Sequence, residues 1–243
     1  MPPKRSGKSK RTAAPGAARA ASLDVLPDEV LGHTLSFLSA QEAVRTCVLA
    51  RRWRQLWRSA SGLRILFDGR VEGRGASMKK LRKFADHLFL LRGSLPLGTC
   101  QLSLLHFDNE GDDTCRIHLW IRHVLMCKVR VLSLCIGELS NCSSSRFCLY
   151  NDLALVSQHL KRLEISSLDL TQTFVDFSSC PALEVLEIEA CDIVNLDRIS
   201  SQSLKSLSIS GNCDFSGWDR IYVYAPNLVS LWLEVTYGRA PIL

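Results

Sequence analysis

Along residues 26 to 57, LPDEVLGHTLSFLSAQEAVRTCVLARRWRQLW, apolar positions recur at helical spacing. Pro27 suits the first turn of a helix, where a missing N–H costs no hydrogen bond, and Asp28 and Glu29 complement the positive helix end. Leu31, Leu35 and Leu38 follow at i, i+4 and i+7, with Val30 and Phe37 on the flanks. Ser39 ends this helix and opens the next, because Glu42 three residues on completes a capping-box pattern. The second helix carries Ala43, Val44, Cys47 and Val48 on one face, and a third contributes Trp53, Leu56 and Trp57. Chains below about 40 residues rarely enclose so much apolar surface alone. The surplus docks on the rest of the chain or on another protein, and periodicity does not choose between them.

Farther along, the pattern changes to L-x-x-L-x-L. It reads Leu160, Leu163, Ile165; Leu183, Leu186, Ile188; Leu204, Leu207, Ile209; and Leu228, Leu231, Leu233, with first positions 23, 21 and 24 residues apart. Weaker copies are Val129, Leu132, Leu134 and, before them, Leu102, Leu105, Phe107. A period of about 20 to 29 residues in this frame is the leucine-rich repeat. Cys191 and Asn212 fall where such repeats use Cys or Asn to satisfy turning backbone groups. The fold class expected is α/β: three N-terminal helices, then a solenoid of parallel strands with helical or irregular connections on its convex side.

Two of the intervening segments are helical in pattern. Residues 113–128 place Ile117, Ile121, Val124 and Leu125 on one side with His118 and His123 beside that face, partly exposed, and residues 77–93 turn Leu81, Phe84, Leu88 and Leu91 inward until Gly93. Residues 137–151 and 210–219 read as loop and turn.

Strand alternation then sends positions +2, +4 and +6 of each frame onto the concave sheet. That face would present Leu104, His106, Asp108, Arg162, Glu164, Glu187, Glu189, Trp232 and Glu234 among others. Glu164, Glu187 and Glu189 form an acidic patch with Trp232 two strands away. It is either a solvated sheet face or a site for a basic segment.

Composition narrows the chemistry. The 243 residues are 47% hydrophobic and 22% charged, ordinary for a soluble globular protein. The net charge of +6 comes from Lys4, Arg5, Lys8, Lys10, Arg11 and Arg19, since 30 bases less these 6 leave 24 against 24 acids. Residues 1–22 are therefore expected to be a disordered basic tail, serving as a nuclear address, a weak nucleic-acid contact or nothing; Pro2, Pro3, Pro15 and Gly16 oppose an amphipathic transit helix. Nucleic acid is not the expected partner of the folded part, and no apolar run is long enough for a signal or a membrane span. Ten cysteines without any C-x-x-C read as reduced thiols, with no metal. The chain has no G-x-S-x-G, no H-E-x-x-H and no phosphate-cradling glycine loop, so no catalytic residue and no cofactor are assigned.

The ordered set Leu26-Pro27-Asp28-Glu29-Val30-Leu31, Leu35-Ser36-Phe37-Leu38, Thr46-Cys47-Val48-Leu49, Arg52-Trp53 and Leu56-Trp57 resembles the F-box of plant F-box/leucine-rich-repeat proteins. The resemblance covers residues 24–64. It implies a module that binds a Skp-type adaptor and through it a cullin-based ubiquitin ligase, while the repeats select a protein substrate. Leu26, Pro27, Val30, Leu31, Leu35, Val48, Leu49 and Trp53 match the family's adaptor-facing and packing positions. The expected organisation is a tail (1–22), an F-box (24–64), a helical linker or cap (65–98) and about six repeats (99–243), cut short at the C-terminus in comparison with longer family members. The last strand would then leave an open edge and low solubility. The expected location is the nucleus and/or cytoplasm. A ligand-dependent receptor and a non-ligase scaffold are the alternatives, the first needing an enclosed basic or aromatic pocket.

Overall fold

In a computed structural model, residues 25–72, 74–106, 113–137, 147–149, 155–170, 175–193, 196, 198–215, 220–234 and 237–242 are described. Helix α1 spans Asp28–Leu35, following Pro27 directly. Helix α2, Ala40–Arg45, starts at the capping box: the Ser39 hydroxyl accepts from the Glu42 N–H, and the Glu42 carboxylate accepts from the Ser39 N–H at 3.0 Å. A 3-10 turn at Thr46–Val48 leads to α3, Trp53–Ser59. Leu31, Leu35, Ala43, Trp53, Leu56 and Trp57 close the core of this module.

The sheet begins earlier than the sequence suggests. Gly62–Asp68 (β1) is its first strand, inside the stretch expected to be the end of the F-box and a helical linker. A short helix α4 (Gly69–Glu72) and the long α5 (Arg74–Arg92) follow, and α5 stops at Gly93, whose φ of 62° is the left-handed conformation that ends helices. Then come β2 (Thr99–Leu105), α6 (Asp113–Met126), β3 (Val131–Gly137), β4 (Phe147–Leu149), β5 (Arg162–Ser166), β6 (Leu168–Leu170), β7 (Val185–Glu189), β8 (Arg198–Ser200), β9 (Ser206–Ser210), β10 (Asp214–Phe215), β11 (Tyr222–Tyr224), β12 (Ser230–Leu233) and β13 (Tyr237–Gly238). The main sheet has seven parallel strands in the order β1-β2-β3-β5-β7-β9-β12. Short ladders β4-β6, β8-β11 and β10-β13 take the place that α5 and α6 hold beside the first strands. Thus the segment 137–151, expected to be a loop, contains a strand.

One backbone pattern ties successive strands together. The carbonyls of Ser61, Gly98, Arg130, Lys161, Glu184 and Lys205 each accept two consecutive N–H groups where the next strand begins. At the other end, the residue ending or following the strand takes positive φ: His106 (51°), Gly137 (128°), Ser167 (60°), Ala190 (50°) and Gly211 (72°). There the N–H groups of His106, Ser167 and Ala190 reach the carbonyls of Gly137, Glu189 and Ser210 on the neighbouring strand. Gly211 has no such carbonyl and donates to the Glu234 carboxylate at 3.1 Å.

Along the main-sheet strands β1, β2, β3, β5, β7 and β9 alternate residues are buried, and α5 and α6 close the same core with Met78, Leu81, Ala85, Leu88, Ile117, Ile121 and Val124. The register of β2 differs from the expected frame. Its buried residues are Cys100, Leu102 and Leu104, preceded by Leu97, so Cys100 holds a leucine position and the frame starts five residues earlier. Leu104 and His106 are consequently buried and do not face the open side of the sheet. His118, expected at the surface, is buried too and meets Phe147 edge-on. At β12 the core thins: Leu228, Leu231 and Leu233 are only partly buried, where the equivalent Leu204, Leu207 and Ile209 are fully so.

Candidate functional site

The F-box module divides the sequence-assigned positions into two groups. Leu31, Leu35 and Trp53 lie in its core and serve packing; their burial removes them from any contact surface. Leu26, Pro27, Val30, Val48 and Leu49 are exposed, Val48 at 87%, Leu49 at 67% and Val30 at 45%. Phe37 and Val25 join them as exposed apolar side chains; Phe37 was legible only as a flank of the stripe. A single exposed leucine is unremarkable on a protein surface, but several large apolar groups on one small module mark a contact surface. Arg52 fixes the corner from which α1 departs: its Nε donates to Asp28 at 2.6 Å and its Nη2 to the Leu26 carbonyl.

Three interactions hold this module against the sheet. Arg92, 1% exposed, donates from the last turn of α5 to the carbonyls of Ala60 (2.6 Å), Trp57 (3.2 Å) and Pro96 (3.3 Å). Burial pulls its pKa down, opposed by the thiols of Cys127 and Cys100. Arg64 on β1 donates to the Phe37 carbonyl at 2.7 Å and to Gln101 at 2.9 Å. Gly62 lets β1 approach α1, since a Cβ there would stand 2.7 Å from Ser36 Cβ.

The solvent-facing side of the sheet forms rows across the strands. One row runs Arg64, Gln101, Ser133, Glu164, Glu187, Ser208, Trp232; the next begins at Leu66 and passes Ser103, Cys135, Ser166, Glu189 and Ser210. Glu164 and Glu187 are therefore neighbours with Trp232 two strands from Glu187, as alternation implied. The acidic patch is less acidic than the sequence suggested. Arg162 donates to Glu164 at 2.7 Å and to both oxygens of Glu187 at 2.8 and 2.9 Å. The hydrogen bond to Glu164, then the charge of Glu187, raise the Arg162 pKa. Glu189 keeps an exposed carboxylate, whereas Glu234 accepts the Gly211 N–H and so has a structural task. Trp232 is 65% exposed. Asp108 lies outside the described residues.

Among the described residues no three His, Cys, Asp or Glu side chains gather as a metal site, and Cys47, Cys100, Cys115, Cys127, Cys135, Cys180, Cys191 and Cys213 are not joined in disulfides. His123 pairs with the Gly93 carbonyl at 3.0 Å and packs on Phe89, which gives it a structural partner. Among the described residues no helix is long and apolar enough to cross a membrane.

Comparison with known proteins agrees with this division. Residues 23–64 match the F-box domain. A putative F-box/LRR-repeat protein of Arabidopsis thaliana is 29% identical over 252 residues, covering 90% of this chain and 55% of that protein. A putative FBD-associated F-box protein of Arabidopsis thaliana is 30% identical over 93% of this chain and 52% of its own length. The MEIOTIC F-BOX protein MOF of Oryza sativa subsp. japonica is 31% identical over 89% of this chain and 46% of its own length. The chain spans about half the length of these curated relatives. No solved structure gives a significant match. An F-box at residues 23–64, a parallel sheet built on the L-x-x-L-x-L frame and this set of relatives lead to one conclusion: the chain belongs to the plant F-box/LRR-repeat family.

Proposed function

We propose that the chain is a substrate-recognition adaptor of a cullin-based ubiquitin ligase and performs no bond chemistry itself. The observation that carries this reading is the exposed set Leu26, Val30, Val48 and Leu49 on a module whose own core is already filled by Leu31, Leu35 and Trp53. These side chains dock on a Skp-type adaptor, whose burial of them supplies the driving force. The described main sheet is the inner face of a leucine-rich-repeat solenoid, a reading supported by the doubled hydrogen bond that recurs at six successive strand starts. Substrate lies on the open face around Glu187, Glu189 and Trp232, and is held near the conjugating enzyme so that proximity raises its effective concentration. The residue pattern on that face favours a basic segment, although Arg162 moderates the charge. The protein works in the nucleus and/or cytoplasm.

The test is co-purification of the full chain with a recombinant Skp-type adaptor. The parent protein is expected to form a one-to-one complex, and Leu26→Ala with Pro27→Ala to weaken it about a hundredfold, from about 2 to 4 kcal/mol per large anchor and 1.4 kcal/mol per decade. Equal complex formation by both proteins would remove this surface from the proposal. Substrate capture is checked separately by Glu187→Lys with Glu189→Lys, adaptor binding serving as the internal control.

A further inference from the structure

A cleft of about 550 Å³ lies where the F-box, the first strand and the long helix meet, lined in part by Gln41, Arg45, Leu66, Lys80, Leu81 and Phe84. Its size falls within the ordinary range for small-molecule sites, about 300 to 1,000 Å³. The floor is apolar, with Leu66 from β1 and Leu81 and Phe84 from α5. Two cations stand at its walls, Arg45 at the end of α2 and Lys80 on α5, both exposed. Neither has a carboxylate within ion-pair distance among the described residues. Glu42, the one acid lining the cleft among the described residues, is engaged: its carboxylate accepts from the Ser39 hydroxyl at 2.8 Å and from the Ser39 N–H at 3.0 Å. Those bonds, and to a smaller extent the charge of Arg45, hold its pKa below the ordinary carboxylate value, so the cleft carries one anion beside its two cations. Gln41 adds a buried Oε1 without a hydrogen-bond partner.

The surroundings have the same sign. Residues 23–86 carry 12 Lys and Arg against 7 Asp and Glu, a net of +5, whereas residues 87–243 carry 12 against 17, a net of −5. A net charge near zero for the folded chain therefore conceals two halves of opposite charge, and the cleft opens on the positive one. Fields of that kind raise the local concentration of anions.

We propose that this cleft is a binding site for a small organic anion with an apolar body, such as an aryl or branched alkyl carboxylate. Arg45 and Lys80 take the carboxylate, Leu66 and Phe84 take the body, and the Gln41 amide accepts or donates one orienting hydrogen bond. The site shares no residue with the exposed apolar set of the F-box or with the Glu187, Glu189 and Trp232 face. Because its walls come from α2, β1 and α5, an occupant bridges the F-box and the sheet and stabilises their junction.

The probe is naphthalene-2-carboxylate, with naphthalene-2-carboxamide as its neutral counterpart, added to the full chain and followed by ligand-detected NMR and by thermal melting. The carboxylate is expected to bind with one-to-one stoichiometry and to raise the melting temperature, and the carboxamide to bind at least tenfold more weakly, since a charged hydrogen-bond pair is worth about a factor of ten or more. Arg45→Gln and Lys80→Gln, both at exposed positions and so compatible with folding, each weaken the carboxylate about tenfold and leave the carboxamide unchanged. Phe84→Ala weakens both compounds. Equal affinity for acid and amide, unchanged carboxylate binding in the doubly substituted protein, or no carboxylate binding at millimolar concentration would each overturn the proposal. Binding of an acidic peptide by a chain that ignores the naphthalene carboxylate would also overturn it, in favour of a peptide groove.

Discussion

Replacing Arg92 by methionine keeps an apolar stem of similar length and removes every donor that Arg92 supplies to the F-box junction. Two buried carbonyls, those of Trp57 and Ala60, and the more exposed one of Pro96 then lose their guanidinium partner. An unsatisfied buried acceptor costs about 1 to 3 kcal/mol, so the two buried ones give roughly 2 to 6 kcal/mol of loss, while water can take up the Pro96 carbonyl. Against that stands the cost of holding a cation away from water without a carboxylate, several kcal/mol for a buried ion. The downward pull of burial on the Arg92 pKa records that opposition. The negative end of α3, whose last-turn Trp57 and following Ala60 provide two of the acceptors, returns up to about 1 kcal/mol to the charged form. The balance is a destabilisation of about 2 kcal/mol for Arg92→Met. At about 2 to 4 °C per kcal/mol for a chain of this size, the melting temperature falls by roughly 4 to 8 °C. Arg92→Lys, whose compact ammonium cannot span three carbonyls, falls between parent and methionine variant. Differential scanning calorimetry at neutral pH reads both. A methionine variant that melts within about 1 °C of the parent, or above it, would show that desolvation cancels the hydrogen bonds and that Arg92 contributes no net stability to the junction.

The strand-end turns make a prediction of opposite signs. Gly211→Ala puts a Cβ 2.8 Å from Glu189 Cγ at a φ of 72° and destabilises by about 1 to 3 kcal/mol, whereas Ala190→Gly relieves a left-handed alanine at 50° and stabilises by up to about 1 kcal/mol; urea unfolding of the pair is the check. Thiol labelling should be selective: Cys115 is exposed and reacts first with iodoacetamide, while burial pushes Cys100 up to about 12 and also raises Cys127 and Cys180, so these three stay unlabelled in the native protein by mass spectrometry. Asp68 is held below the usual carboxylate range by the Arg70 N–H first and by His106 second. Its contribution is therefore complete above the unfolded value of about 3.9 and is lost as pH falls through the lower folded value, so the gap in melting temperature between parent and Asp68→Asn should narrow from about pH 5 to pH 3. A gap that stays constant would assign the difference to packing.

The parts of the fold that the sequence revealed are those encoded by neighbours. Pro27, and Ser39 with Glu42, mark the helix starts because capping is local, and the frames of β5, β7, β9 and β12 are legible because leucine or isoleucine fills each position. The first two strands were hidden by substitution within the same frame. Ala60 and Cys100 occupy leucine places as small buried residues, so β1 merged with the F-box and the β2 frame was set too late. Leu63, Ile65 and Phe67 did alternate with period two, which was the available signal for β1. The contact surface required knowing which side of each helix meets its neighbours: Leu31 and Val30 are adjacent in sequence, yet one is core and the other exposed. The Arg92 clamp was beyond reach, because its acceptors Trp57 and Ala60 lie 35 and 32 residues away. Alternation placed Arg162 on the same face as Glu164 and Glu187 but could not show that one guanidinium bridges both.

The central claim is that the exposed face of the F-box holds a Skp-type adaptor, and isothermal titration of that adaptor into the full chain tests it most directly. The variant is Val48→Asp with Leu49→Asp, chosen because both side chains are exposed and outside the module's core, so folding is preserved and is verified by an unchanged melting temperature. Burying two uncompensated carboxylates in an apolar contact costs more than truncation, so affinity is predicted to fall at least a hundredfold, about 2.8 kcal/mol at 1.4 kcal/mol per decade. A folded double variant that binds the adaptor as tightly as the parent would contradict the account.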